Sequence, residues 1–125
     1  MNNPNSRRGR VMTETQDTIG SILEDIVKAI VAASDPDRII LFGSAARGDT
    51  GSDSDVDLLV VEKESSFQGG SRWSESSRIR KALWRFPVPI DVLLFTPEEI
   101  EKWKDSTNHV IARSMREGRV LYDRP

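Results

Sequence analysis

The chain has 125 residues, 18 of them basic and 20 acidic, and no cysteine. That length suits one domain that buries about two thirds of its unfolded surface, and a net charge of -2 gives no general electrostatic reason to hold nucleic acid directly. Disulfides and thiolate metal sites are excluded, no apolar run nears the roughly 20 residues that span a bilayer, and no apolar signal-peptide centre is present, so the expectation is a soluble cytoplasmic protein without a membrane partner.

In chain order, residues 1–12 are polar, with Arg7, Arg8 and Arg10, and read as a disordered tail; a basic arm that touches RNA is the alternative. From Thr13, the residues Ile19, Ile22, Leu23, Ile26, Val27, Ile30 and Val31 recur at three and four and predict an amphipathic helix. It ends near Ser34-Asp35-Pro36, because proline disfavours helix in the residue before it. Arg38 to Phe42 reads as a buried strand that stops at Gly43, and Asp55 to Val61 as a second strand. Glu62 to Ser71 reads as a polar loop, and Arg72 to Phe86 as a crossover helix burying Trp73, Ile79, Ala82, Leu83 and Phe86. Its basic residues Arg72, Arg78, Arg80, Lys81 and Arg85 read as a solvated face, the alternative being that one or two reach phosphate. Pro87 and Pro89 end that helix and introduce a third strand, Pro89 to Phe95, which carries Asp91.

Thr96-Pro97-Glu98-Glu99 predicts a capping-box helix start, and Glu98, Glu99 and Glu101 suit that end of the dipole. The helix runs on with Ile100, Trp103, Val110, Ile111 and Met115 on its buried stripe, broken near Asp105 to Asn108, with Gly118 as C-cap. Arg119 to Tyr122 closes the chain as a short extended piece. His109 has no Cys or His at ligand spacing and reads as structural or solvent-facing. Residues 13–125 thus form one α/β domain, a small sheet covered by helices.

The candidate chemistry sits between Leu41 and Val61. Asp55 and Asp57 lie two apart at the start of a strand, so both carboxylates point to one face, about 7 Å apart at the backbone. A hard divalent cation such as Mg²⁺ neutralises such a pair. Upstream, Gly43 allows a sharp turn, and Ser44 would cap a short helical turn through Ala45, Ala46 and Arg47 whose free N–H groups and hydroxyl suit a phosphate. Arg47 either contacts phosphate or pairs with Asp49 or Asp53 at the surface. Asp91, at the start of another strand, is the candidate third carboxylate.

Gly43-Ser44, ten intervening residues, Asp55-Val56-Asp57-Leu58 and a later strand Asp91 resemble the signature of the DNA polymerase beta superfamily of nucleotidyltransferases. The short length and the ending Met115 to Asp123 resemble its minimal nucleotidyltransferases; the likeness covers roughly residues 13–123. It implies a polymerase-beta-like palm, a mixed sheet with helices. It also implies that Gly43, Ser44 and Arg47 hold the triphosphate of ATP, while Asp55, Asp57 and Asp91 hold two Mg²⁺ ions and are catalytic. Minimal nucleotidyltransferases resemble the antitoxin half of HEPN/MNT toxin-antitoxin pairs, which implies a HEPN-domain toxin as partner, silenced by transfer of AMP to one of its hydroxyls. Two other classes stay open: a partner-binding module that neutralises by contact alone, and an aminoglycoside-type enzyme acting on a small molecule, against which the lack of an added substrate-binding domain argues.

Overall fold

The computed structural model describes residues 14–43, 46, 56–107 and 109–125, with residues 14–19 described by their backbone alone. The elements are α1 (Glu14–Ala33), β1 (Arg38–Phe42), β2 (Val56–Val61), α2 (Arg72–Ala82), β3 (Ile90–Phe95), α3 (Pro97–Trp103), α4 (Val110–Glu117) and β4 (Arg119–Asp123). The strands form one mixed sheet in the order β3-β2-β1-β4. β1 is antiparallel to both β2 and β4, and β2 is parallel to β3. A parallel neighbour needs a crossover, and α2 with its flanking turns supplies it.

Alternation along the strands gives the sheet two apolar faces. Ile39, Leu41, Leu58, Val60, Val92 and Leu94 pack under α1 and α2 through Leu23, Ile26, Ile30, Ile79 and Leu83. On the other face Ile40, Leu59 and Val61 meet Ile100 of α3 and Ile111 of α4. The predicted capping box is present: Thr96 Oγ1 accepts from Glu99 N–H, and Glu99 Oε1 accepts from Thr96 N–H, a cap worth about 1 kcal/mol. The break in the last helical region is also real, and His109 is structural. It caps α4 through Nδ1, which accepts from Ile111 N–H at 3.1 Å, and its ring stacks on Trp103.

The structure corrects the reading of α2. Trp73 was expected inside but is 78 % exposed, and Val31 of α1 also faces outward. The regular helix stops at Ala82; Leu83, Trp84 and Phe86 follow in tight turns whose N–H groups bond three residues back. The basic residues do form a solvated face, since Arg72, Arg80, Lys81 and Arg85 are exposed, but several of them are also bonded. Arg72 and Arg80 donate to the carbonyls of Leu94 and Val92 on the outer strand β3, and Arg72 also makes a two-pronged pair with Glu99. That pairing holds the Glu99 carboxyl below its ordinary range. These bonds cap one edge of the sheet; the other edge, β4, is broken by a bulge opposite Ile39 and Ile40. Both devices discourage pairing with another strand.

Glu62, at the start of the polar loop, and Glu75, in α2, are both fully buried, which the sequence did not signal. Glu62 Oε2 accepts from Asp35 N–H. Glu75 Oε1 accepts from Gln68 N–H and from Arg78, which also donates to the carbonyl of Ala33 at the end of α1. Glu62 Oε1 and Glu75 Oε2 have no other partner among the described residues, and one proton held between the two carboxyls satisfies both. Burial, the bond to Glu75 and its charge push Glu62 up to about 8. Burial pushes Glu75 upward as well, but bonds from Glu62, Arg78 and Gln68 outweigh it and keep Glu75 below its ordinary value.

The folded chain therefore keeps the Glu62 proton where the unfolded chain, at the ordinary 4.5, has lost it. The stability this adds is fully present below 4.5 and is lost as pH rises through about 8. Urea midpoints measured across that window should fall with pH, with a slope of at most about 1.4 kcal/mol per unit for one proton, and Glu62→Gln should flatten the slope. An unchanged slope in the variant would place the titrating group elsewhere.

Candidate active site

One end of the sheet gathers the residues singled out in the sequence. β1 ends there at Phe42, and β2 and β3 begin there, so Phe42 lies opposite Asp57 and Asp57 lies opposite Asp91. Neighbouring strands are about 4.8 Å apart, and residues in register share a face. Asp57 and Asp91 therefore stand side by side, on the face of Leu59, Leu93 and Phe95, just beyond the stretch that α3 and α4 cover. Asp57 is half-buried and Asp91 exposed. One residue earlier, Val56 N–H donates to the carbonyl of Pro89 at 2.9 Å, which pins the two strand starts and so the carboxylate register.

Gly43 follows β1 directly and takes φ +77°, a left-handed conformation that side chains disfavour. The chain turns at once, with Ala46 N–H donating to the Gly43 carbonyl at 3.1 Å. A β-carbon added at Gly43 would collide with Oδ2 of Asp57 and lie 3.3 Å from its Cγ. Glycine is thus required twice over, by its torsion and by the Asp57 carboxylate lying against it. Ser44, Arg47 and Asp55 lie outside the described residues, so the structure brings together Gly43, Asp57 and Asp91 of the six candidates.

Among the described residues no cluster of three metal-ligating side chains occurs. The Asp57 and Asp91 pair nevertheless fits a hard cation, since Mg²⁺ is typically held by one or two carboxylates together with substrate phosphates and water. Gly43 lets the turn pass directly against the Asp57 carboxylate, and a backbone without a side chain is what the close approach of a phosphate chain requires.

Another feature lies at the same end of the sheet. Arg80, Leu83, Trp84, Phe86, Val88 and Ile90 line a cavity of about 260 Å³, and Ile90 immediately precedes Asp91. The signal in sequence was weak: an apolar Trp-Arg-Phe-Pro-Val-Pro run after the helix, read mainly as its termination. A larger cavity, lined by Asp37, Arg38, Lys63, Lys104 and Asp123 among others, lies at the opposite end of the strands and shares none of the candidate residues. Among the described residues no helix is long and apolar enough to cross a membrane.

The profile of the nucleotidyltransferase domain family matches residues 21–121. A protein of Methanocaldococcus jannaschii named "Putative protein adenylyltransferase" is 34 % identical over 84 residues, covering 67 % of this chain and 71 % of the relative. The fold also matches a crystal structure described as a "putative nucleotidyltransferase" from Sulfolobus solfataricus, with TM-score 0.60, 18 % identity, and 93 % of this chain and 92 % of that one covered. A second solved structure, a toxin-antitoxin with AMP-PNP, matches with TM-score 0.51 at 20 % identity, covering 81 % of this chain and 73 % of that one.

Proposed function

The chain belongs to the nucleotidyltransferase domain family, and from that premise we propose that it moves AMP from ATP to a hydroxyl of a protein partner, a HEPN-type toxin that the transfer silences. The observation that carries the chemistry is the Gly43–Asp57–Asp91 arrangement, a glycine without room for a side chain set against one of two carboxylates in register. Support for a protein acceptor comes from the adenylyltransferase name of the archaeal relative. Support for a toxin partner and for ATP comes from the toxin-antitoxin neighbour that carries an ATP analogue and from the likeness to minimal nucleotidyltransferases.

In the proposed reaction the acceptor oxygen attacks the α-phosphorus of ATP, the bond from that phosphorus to the pyrophosphate oxygen breaks, and pyrophosphate leaves. Gly43 and Ser44 orient the triphosphate for in-line attack, with Arg47 as a further phosphate-binding residue by the family likeness. Asp91, the exposed member of the pair, takes the acceptor proton. Asp57 and Asp91, with Asp55 as the third by its spacing, would hold two Mg²⁺ ions, whose chemistry when bound is to lower the acceptor pKa and offset charge on the leaving group.

Pyrophosphate release tests the reading. It is expected only when the protein, ATP, a divalent ion and the partner protein are all present. Release with aminoglycosides but not with the partner would return the small-molecule enzyme to the front, and partner neutralisation without release would favour the contact-only module.

A further inference from the structure

The chain around the end of α2 is rich in basic residues. Between residues 72 and 90 it carries Arg72, Arg78, Arg80, Lys81 and Arg85 against one acid, Glu75, in a protein whose net charge is -2. Glu75 is fully buried, so this surface is cationic. Arg72, Arg78 and Arg80 are committed to the bonds described above, while Lys81 and Arg85 are exposed, Arg85 lying 4.8 Å over the ring of Phe86. Trp84, next to Arg85 in the chain, is 76 % exposed. Leaving so large an apolar side chain in water forgoes the stabilisation that its burial would give.

Trp84 does not stand alone. It lines the 260 Å³ cavity with Leu83, Phe86, Val88 and Ile90, and the lip of that cavity is stiffened by Pro87 and Pro89, whose ring closures fix φ. The cavity opens at the end of the sheet where β2 and β3 begin, one residue from Asp91. Ile90 and Asp91 are neighbours on β3 that point to opposite faces, so an occupant would lie at the same end and outer edge of the sheet as the proposed proton acceptor, across β3 from it.

We propose that this cavity is an acceptor-side docking site, receiving an apolar or aromatic side chain from an acidic segment of the protein that carries the acceptor hydroxyl. The proposal rests on AMP transfer to a protein and narrows it, since the cationic rim selects a partner surface rich in carboxylates. The aromatic anchor would give affinity, as buried tryptophans at interfaces commonly do; Lys81 and Arg85 would set encounter rate and partner choice.

The test uses a dye-labelled random copolymer of glutamate and tyrosine, an acidic chain bearing phenolic hydroxyls, and reads its binding to the full protein by anisotropy. Wild type should bind it and ignore the lysine–tyrosine copolymer. Trp84→Ala should bind at least about tenfold more weakly, and the Lys81→Glu, Arg85→Glu double variant should lose binding. Trp73→Ala removes an equally exposed tryptophan from the other end of α2 and should change nothing. ATP affinity should be the same in all four proteins. Unchanged binding in Trp84→Ala, an equal loss in Trp73→Ala, or tighter binding of single-stranded RNA than of the acidic copolymer would overturn the proposal. Loss of ATP affinity in Trp84→Ala would also overturn it, by giving the cavity to the nucleotide base. If wild type transfers AMP to no protein while copolymer binding stays dependent on Trp84, the transfer reading fails and the docking site stands.

Discussion

Asp57→Asn is expected to abolish nucleotidyl transfer while leaving the fold in place. The substitution keeps the side chain's shape and removes one formal charge from a strand start pinned on both sides, by Phe42 of β1 and Asp91 of β3. Metal ions held by carboxylates contribute several kcal/mol of charge stabilisation in phosphoryl chemistry, so the loss should be on the order of 10³-fold. Circular dichroism and the thermal midpoint of the variant should match wild type, because Asp57 lies outside both apolar clusters. Transfer at the wild-type rate by a folded Asp57→Asn protein would remove this carboxylate from the mechanism.

Gly43→Ala is expected to lose both stability and activity, through two separable causes. The torsion of +77° strains any residue with a β-carbon, and a strained backbone of this kind costs about 1–3 kcal/mol. The added carbon also meets the Asp57 carboxylate, so either the turn or Asp57 must move. If the turn moves, ATP affinity falls. If Asp57 moves, divalent-ion dependence shifts while ATP affinity holds. The double variant Gly43→Ala, Asp57→Gly restores space without restoring the torsion, and should recover part of the stability and none of the activity. A stable, active Gly43→Ala protein would show that the turn tolerates a side chain and that the close packing on Asp57 is dispensable.

Much of the scaffold was legible because it depends on local pattern. β1 and β3 are short β-branched and leucine-rich runs, and the capping box at Thr96 is a four-residue signal whose partners are its own neighbours. Asp57 and Asp91 were legible individually from their places at strand starts; their register was not, since it depends on which strands become parallel neighbours. α2 was the least legible element. Its periodicity suggested Trp73 as a core residue, but the helix instead buries Glu75, whose burial depends on Glu62 at the end of β2, Arg78 and the Gln68 N–H. No apolar period can reveal a carboxyl satisfied by a second carboxyl from a distant strand. The partners of Arg72 and Arg80 were illegible for the same reason, because they are backbone carbonyls of β3 that only the folded sheet brings within reach. Ser44, Arg47 and Asp55 fall outside the described residues, so their part in the site rests on spacing and family likeness.

The measurement that bears most directly on AMP transfer to a protein is the intact mass of the partner after incubation with the purified protein, ATP and Mg²⁺, with Asp57→Asn run in parallel. The expected result is a partner heavier by one or more AMP units with wild type and unchanged with the variant. A partner neutralised equally by both proteins, with no gain in mass from either, would contradict it.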